Sequence, residues 1–549
     1  MTDVEKKTKK SKLKNSSKLF FSGVLILTVC NLIIKVIGLM FKIPMNHIVG
    51  DEGMGYYNSA YTFYTYLYML STAGLPTAIS IMVSESRAKC QFKQVKRILN
   101  VSLALFVSIG VVCTGIMFFG AEAMSTAIGA ENTKYSMMAI APTLFLICIS
   151  SAYRGYFQGY QQMTPTAISQ LIEAVCKLGV GIAFAMYAIN NNQPIYIVAA
   201  YAAVGLTVGV GLGMMFLVFS KLLFKEQNYD AEYLENNVED ISVSRKRELV
   251  KRLFIIALPI TVSASVMSLT NLIDTAIVQR LLQMTGLTQV AATELYGNYT
   301  SLAVPMFNLP PVLIYPISYS IVPLIAAAKK KGDNDRCKLV IESSMRIAML
   351  IGVPCGLGLA VLAEPILSLF YKQSSVELAA PLLTLLAPST AFICILSVTN
   401  AVLQSNGFER KPLVSMLAGA CVKIVTNFIL IQNIGMKGTP ISTFLCYLTV
   451  TLLNLYFIRK HVGVMPKLSG LFGKPLLASV LCAATAYFSY NAIHSVYQSR
   501  IVVFASIVLA FAVYFVVIFL VRGVSGDDVK LLPKGEKIYK VLYKLKLVK

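Results

Sequence analysis

Apolar runs, each roughly twenty residues long and separated by short polar breaks, recur along the whole chain. They begin near Phe20, Tyr56, Ile98, Ser136, Pro165, Ile195, Leu253, Tyr299, Arg346, Ala380, Pro412, Thr439, Pro475 and Ile501. At helical rise, about 20 residues cross the roughly 30 Å of bilayer hydrocarbon, so the pattern predicts an all-α polytopic membrane protein of about fourteen transmembrane helices. Composition agrees: hydrophobic residues make up 56% of 549 and charged residues 14%, a balance that excludes a soluble domain of this size. The eighth run holds Pro305, Pro310, Pro311 and Pro316, and each proline removes a backbone donor, so that helix should be bent or interrupted.

The pattern is written twice. Ala141 to Ser151 (APTLFLICISS) returns as Ala387 to Ser397 (APSTAFICILS), an offset of 246 that also relates Gln158 to Gln404 and Lys177 to Lys423. An earlier pair, Asn31-Leu32-Ile33 and Asn271-Leu272-Ile273, lies 240 apart, as do Pro76 and Pro316. A duplicated block of six helices keeps its orientation, so two six-helix lobes should be related by an axis along the membrane normal, with a cleft between them. The expected organisation is a basic tail at 1–19, an N-lobe at 20–224, a linker at 225–252 and a C-lobe at 253–462. Two further helices at 463–522 have no counterpart in the repeat, and a basic tail at 523–549 follows.

Charge supports this topology. With the N-terminus taken as cytoplasmic, 39 of the 49 Lys and Arg fall in the tails and alternate loops, Arg154 among them, and five fall in the opposite loops. The remaining five, Lys35, Lys42, Lys177, Arg346 and Lys423, lie in or at the ends of spans. Basic residues gather on the cytoplasmic side of short loops, so both termini are expected in the cytoplasm of a cell-membrane protein. The net charge of +23 then finds its counter-charge in anionic lipids, and no nucleic-acid partner is needed. In the C-terminal tail, Ile538, Val541, Leu542 and Leu545 stand at helical spacing among lysines; this reads either as a helix on the inner leaflet or as a solvated tail. No cleavable signal peptide is expected, because the basic start leads into a full span without a small-residue cleavage site. Eleven scattered cysteines without CxxC spacing predict neither a disulfide framework nor a metal site. Trp is absent, leaving 28 Tyr for interfacial belts.

A lysine at the centre of a membrane helix costs about 2.5–3.5 kcal/mol on insertion scales, so one kept there faces a cavity or a partner. Lys35, Lys177 and Lys423 are such residues; Lys42 either lines the cleft or snorkels to the interface. Two acids oppose them, Glu173 and Asp274, which leaves the interior cationic and suited to a phosphate or pyrophosphate group. Glu173 and Lys177 could instead form an i,i+4 ion pair that lines nothing. Asp274 either neutralises a lysine or binds a coupling proton or cation. Asn31, Arg154, Gln158 and Gln404 complete the cleft candidates, the two glutamines serving equally as packing residues. The Tyr56 to Tyr68 cluster could stack on sugars, although a belt explains most of it. No Walker A pattern and no set of catalytic carboxylates or histidines is evident, so neither an ATP-driven pump nor an enzyme is expected, and no cofactor.

Lys35-Val-Ile-Gly38, Ile43-Pro44, Val49-Gly50, the Gly53 to Tyr57 segment, Gly74-Leu75-Pro76-Thr77-Ala78-Ile79-Ser80 and Arg154-Gly155-Tyr156-Phe157-Gln158-Gly159 with Thr164-Pro165 together resemble a known group. They are similar to the polysaccharide-exporter branch of the multidrug/oligosaccharidyl-lipid/polysaccharide superfamily, and within it to the stage V sporulation protein B and MurJ-type lipid II flippases of Gram-positive bacteria. The resemblance spans nearly the whole chain. It implies fourteen helices in two lobes, alternating access, and an undecaprenyl-pyrophosphate-linked saccharide moved from the inner to the outer leaflet. In the family's Arg-x-x-Gly pattern the matching positions are Lys35 and Gly38, with Lys42 near a second basic place; lysine keeps the charge and loses the bidentate fork. By the same resemblance, Pro475 to Val521 would form a groove for the lipid tail. The expected function is thus a non-enzymatic flippase gripping a pyrophosphate through Lys35, Lys42, Lys177 and Lys423, with cell-wall synthesis proteins as further partners. Its alternatives are an ion-coupled multidrug or small-solute antiporter of the same superfamily, using Asp274 and Glu173, and a membrane glycan polymerase or cell-wall scaffold.

Overall fold

The computed structural model describes residues 3–89, 91–224, 245–330, 332–464, 469–526, 528, 539–540 and 543–544. Most of the expected linker at 225–252 and of the tail at 523–549, including Ile538, Val541, Leu542 and Leu545, lies outside the described residues, as do the side chains of the tail at 1–19. Every regular element among the described residues is helical. The first seven are α1 (Asp3–Thr72), α2 (Leu75–Ala88), α3 (Phe92–Phe119), α4 (Ala121–Ala127), α5 (Thr133–Gly159), α6 (Thr164–Asn190) and α7 (Ile195–Leu223). There follow α8 (Lys246–Met284), α9 (Gln289–Asn298), a π turn (Tyr299–Ala303), α10 (Val304–Phe307), α11 (Pro311–Lys330), α12 (Asn334–Val361) and α13 (Ala363–Ser368). The chain continues through α14 (Gln373–Leu386), α15 (Ser389–Ser405), α16 (Arg410–Ile434), α17 (Gly438–His461), α18 (Lys474–Val496) and α19 (Val502–Leu520).

Among the described residues, nine helical runs are long and apolar enough to cross a membrane, or ten if a bent pair counts as one span. Two of the nine, Cys30–Arg87 and Arg410–His461, are 58 and 52 residues long, each more than twice the length of one crossing. α1 changes direction at Gly50, whose φ of 67° lies in the left-handed region that favours glycine. The proline-rich eighth run is interrupted: α10 ends at Phe307 and α11 starts at Pro311, after the π turn. Large apolar side chains such as Val112, Met215, Phe219 and Val508 point outward, each 59% or more exposed. That arrangement suits lipid, where an apolar exterior carries no penalty.

The chain forms two compact units, Met1–Leu272 and Ile273–Lys549. The N-terminal part of α8 belongs to the first: Leu249, Leu253 and Ala257 join the core of Leu75, Ile79, Val83 and Tyr156, and the Gly74 amide donates to Thr261 Oγ1 at 3.1 Å. Glycines set these close approaches. A Cβ on Gly155 would stand 2.7 Å from the Pro76 carbonyl oxygen, and one on Gly159 would strike Val83 at 2.7 Å, so α5 and α2 meet backbone to backbone. Between α6 and α7, Gly205 lies on Gly181, Gly209 on the Glu173 carbonyl and Gly213 on the Glu173 side chain. A glycine every four residues along α7 is the small-residue stripe by which membrane helices pack closely.

The duplication is visible within each unit. α6 and α16 begin at the same offset of 246, and the helices before them, α5 and α15, end alike. Gln162 and Gln161 donate to the carbonyls of Phe157 and Gln158, both at 2.9 Å; Phe408 and Gly407 donate to those of Leu403 and Gln404 at 2.9 and 3.0 Å. Both ends turn through a left-handed residue, Gln161 (φ 60°) and Gly407 (φ 86°), as a C-terminal cap of this type requires. The copies differ at the repeated Ala-Pro. Pro142 sits inside an unbroken α5, whereas Pro388 divides α14 from α15 with a bend of 48°. In the second unit, α18 and α19 pack on α12 through Leu362, Ala478, Cys482, Ala486, Ala510, Tyr514 and Ile518, and the Tyr514 hydroxyl donates to the Leu350 carbonyl at 2.7 Å.

Because Gly205 has backbone against it and Gly115 has nothing within 4 Å of an added Cβ, Gly205→Ala is expected to destabilise by about 1–3 kcal/mol by overpacking. Gly115→Ala is expected to be neutral or stabilising. Thermal unfolding of both variants purified in detergent measures the contrast.

Candidate functional site

In the first unit the site grows from three helices. On α1, Asn31, Lys35, Gly38 and Lys42 recur at spacings of four, three and four residues, so they share one face, and Lys35 and Lys42 stand two turns and about 10 Å apart. Asn31 and Lys35 are exposed and Lys42 is half-buried. A Cβ added to Gly38 would meet nothing within 4 Å, which leaves open space beside the stripe. Further along α1, Tyr57, Tyr61, Tyr64 and Tyr68 form a ladder with ring centroids 6.1, 5.7 and 6.0 Å apart. These four rings share one face of α1; Tyr57 and Tyr64 are 2% and 6% exposed, and Tyr61 and Tyr68 are half-buried.

Lys177, on α6, lays its ammonium on this aromatic face, 4.4 Å from the centre of Tyr61, 5.0 Å from Phe41 and 5.7 Å from Tyr57. Ring quadrupoles attract a cation without neutralising it. Lys42 is the next residue after Phe41, one of the rings beneath Lys177. The alternative i,i+4 ion pair between Glu173 and Lys177 is absent among the described residues. Glu173 bonds instead to the guanidinium of Arg154, whose Nε also donates to Ser169 Oγ at 3.3 Å.

Arg154 corrects the loop placement made from the charge pattern. It lies inside α5 and is 5% exposed, because α5 continues to Gly159 along the glycine contacts with α2. Two other acids of the unit, Asp51 and Glu52, follow the Gly50 turn and accept hydrogen bonds from Asn46 at 2.6 Å and Tyr56 at 3.1 Å. Gln158, half-buried in the last turn of α5, and Gln404, exposed in that of α15, lend their carbonyls to the helix caps described above.

The second unit handles its lysine differently. Lys423 is 2% exposed and its Nζ lies 2.7 Å from Asp274 Oδ2; the Asn427 amide donates to Asp274 Oδ1 at 3.1 Å. Lys423, expected as a head-group ligand, thus faces a partner, sealed against a carboxylate from α8, and of the two readings of Asp274 the structure has the one in which it neutralises a lysine. The sequence offers Asp274 no counterpart in the first copy, since the position 240 residues earlier is Ile34. Conversely, the positions 246 residues after Arg154 and Glu173 are Asn400 and Gly419, and Asn400 Oδ1 accepts from Asn454 at 2.8 Å. Each copy has neutralised a different cation. Lys35 and Lys177, both in the first unit, make no ion pair among the described residues, and no group of His, Cys, Asp and Glu there could hold a metal ion.

Such a chain, helical in every regular element among the described residues and with apolar spans carrying embedded cations, is a multi-pass membrane protein. Residues 20–329, more than half of it, match the family described as polysaccharide biosynthesis protein, and the chain belongs to that family. Residues 259–429 also match the MatE family. The chain is 26% identical over 522 residues to stage V sporulation protein B of Bacillus subtilis (strain 168), covering 94% of this chain and 98% of that protein. To lipid II flippase MurJ of the same organism it is 24% identical over 483 residues, 85% of this chain and 87% of the relative. Among solved structures, lipid II flippase MurJ in an inward closed conformation shares the fold with a TM-score of 0.69 at 14% identity, over 90% of this chain and 98% of that one.

Removing one member of a buried ion pair strands the other. Asp274→Asn is expected to cost about 3–5 kcal/mol, whereas Asp274→Leu combined with Lys423→Met should recover much of the loss, because apolar replacement of a whole buried pair is often neutral. Thermal midpoints of the purified variants measure both.

Proposed function

We propose that the protein is a flippase that carries an undecaprenyl-pyrophosphate-linked saccharide across the cytoplasmic membrane by alternating access, with the lipid tail remaining in the bilayer. The observation that carries this reading is the Lys177 ammonium, held on aromatic faces and making no ion pair among the described residues. An ion pair would spend its charge; the rings hold it in place and leave it available to an arriving anion. Lys42, next in the chain to the Phe41 ring beneath Lys177, adds a second charge, and Lys35 a third on the same face of α1, beside the open space at Gly38. Three ammonium groups suit a diphosphate as point charges. The basic tails and alternate loops support both termini on the cytoplasmic side. The similarity to a lipid II flippase and to stage V sporulation protein B supports a lipid-linked saccharide as the cargo.

The ion-coupled antiporter has the MatE match in its favour, but both acids it would use, Glu173 and Asp274, are already bonded to cations. In this proposal Lys423 stabilises the second unit and does not grip the head group.

Proteoliposomes carrying fluorescent lipid II test the reading. Lys35→Ala and Lys177→Ala are expected to slow translocation at least about tenfold, equivalent to about 1.4 kcal/mol, while Lys134→Ala, which removes the Lys134–Glu122 pair at 3.5 Å, leaves it unchanged. Wild-type rates in both lysine variants would overturn the assignment.

A further inference from the structure

Arg154 is buried and Glu173 half-buried; they are bonded to each other and absent as a pair from the second copy, so their role lies in what is particular to the first. Glu173 stands one helical turn before Lys177. A glutamate four residues before a lysine is the favourable order for an intrahelical ion pair, and a buried carboxylate without a cation is strongly disfavoured. Left to itself, Glu173 would therefore draw in the Lys177 ammonium.

Arg154 prevents this. Its guanidinium spans one turn of α6, bonding Glu173 and, at 3.3 Å, Ser169, and so turns the carboxylate toward α5. Lys177 turns to the α1 rings, with Tyr61 nearest. Gly209 and Gly213 of α7 close on the Glu173 carbonyl and side chain, fixing the acid from the other side. In the second copy both charges are replaced together, by Asn400 and Gly419, as expected if neither is useful without the other.

We infer that Arg154 is a positioning residue: by engaging Glu173 it keeps the adjacent Lys177 unpaired and available to a pyrophosphate head group. The inference rests on the reading of Lys177 as a head-group ligand.

The test is binding of undecaprenyl pyrophosphate to the purified full-length protein in detergent, followed by native mass spectrometry, with thermal midpoints recorded alongside. Lys177→Ala examines the underlying reading and is expected to weaken binding at least tenfold. Arg154→Asn should weaken it similarly, and Arg154→Asn with Glu173→Gly, the residues of the second copy, should restore Kd to within about threefold of wild type. Glu173→Gln removes the competing acid without stranding a carboxylate and should bind at least as tightly as wild type, which covers the case in which Arg154→Asn fails to fold. If Lys177→Ala weakens binding but the double variant stays as weak as Arg154→Asn, or Glu173→Gln loses binding, the inference falls and the reading of Lys177 stands. If Lys177→Ala binds as wild type does, both fall.

Discussion

An ammonium or guanidinium group set within hydrocarbon has few stable settings: an anion beside it, aromatic faces beneath it, or water in reach. The architecture around the embedded cations follows from that restriction. Arg154 takes an anion, Lys177 takes rings, Lys423 takes an anion, and Lys35 lies on an exposed face. Each setting makes demands on the backbone. The glycines of α7 let α6 come near enough to present Glu173 to Arg154, and those of α5 let α2 close over the helix that carries Arg154. Several glycines in the motifs that carry the family resemblance thus act through packing, and the charged residues beside them depend on it.

Duplication supplied two equivalent lysines, and the copies then diverged in how they hold them. In the second unit Asp274 and Asn427 form a closed set around Lys423. The first keeps its acid for Arg154, so that a positive charge remains on the α1 and α6 faces. Helix ends changed less: the capping hydrogen bonds after Phe157 and Leu403 are the same in pattern and nearly the same in length, because a left-handed terminal residue admits few alternatives. Charge has been redistributed over a conserved backbone.

Much of this was legible in the chain. Apolar periodicity gave the membrane class, the repeat gave the correspondence between Lys177 and Lys423, and the prolines marked the break before α11. The pairing of side chains was not. Lys423 and Asp274 come from helices far apart in sequence, and no local spacing connects them. Helical spacing allowed Glu173 to pair with Lys177, but a guanidinium from α5 with a second donor for Ser169 takes the carboxylate instead. Arg154 looked like a loop residue because the charge pattern weighs only hydropathy and sign. The overlooked signal was Gly155 and Gly159, four apart, the spacing of a helical face that packs closely on a neighbour. Tyr57, Tyr61, Tyr64 and Tyr68 likewise announced a single helical face by their spacing.

The bend between α14 and α15 has a mechanical meaning. In α5 the corresponding proline sits within a continuous rod, and flexing that rod would strain the hydrogen bonds on either side. Where Pro388 has already divided the helix, the two segments can alter their angle by rotation about a short connection, with their own ladders intact. The repeated Ala-Pro thus leaves a joint in one copy and a continuous helix in the other, although both began as the same sequence.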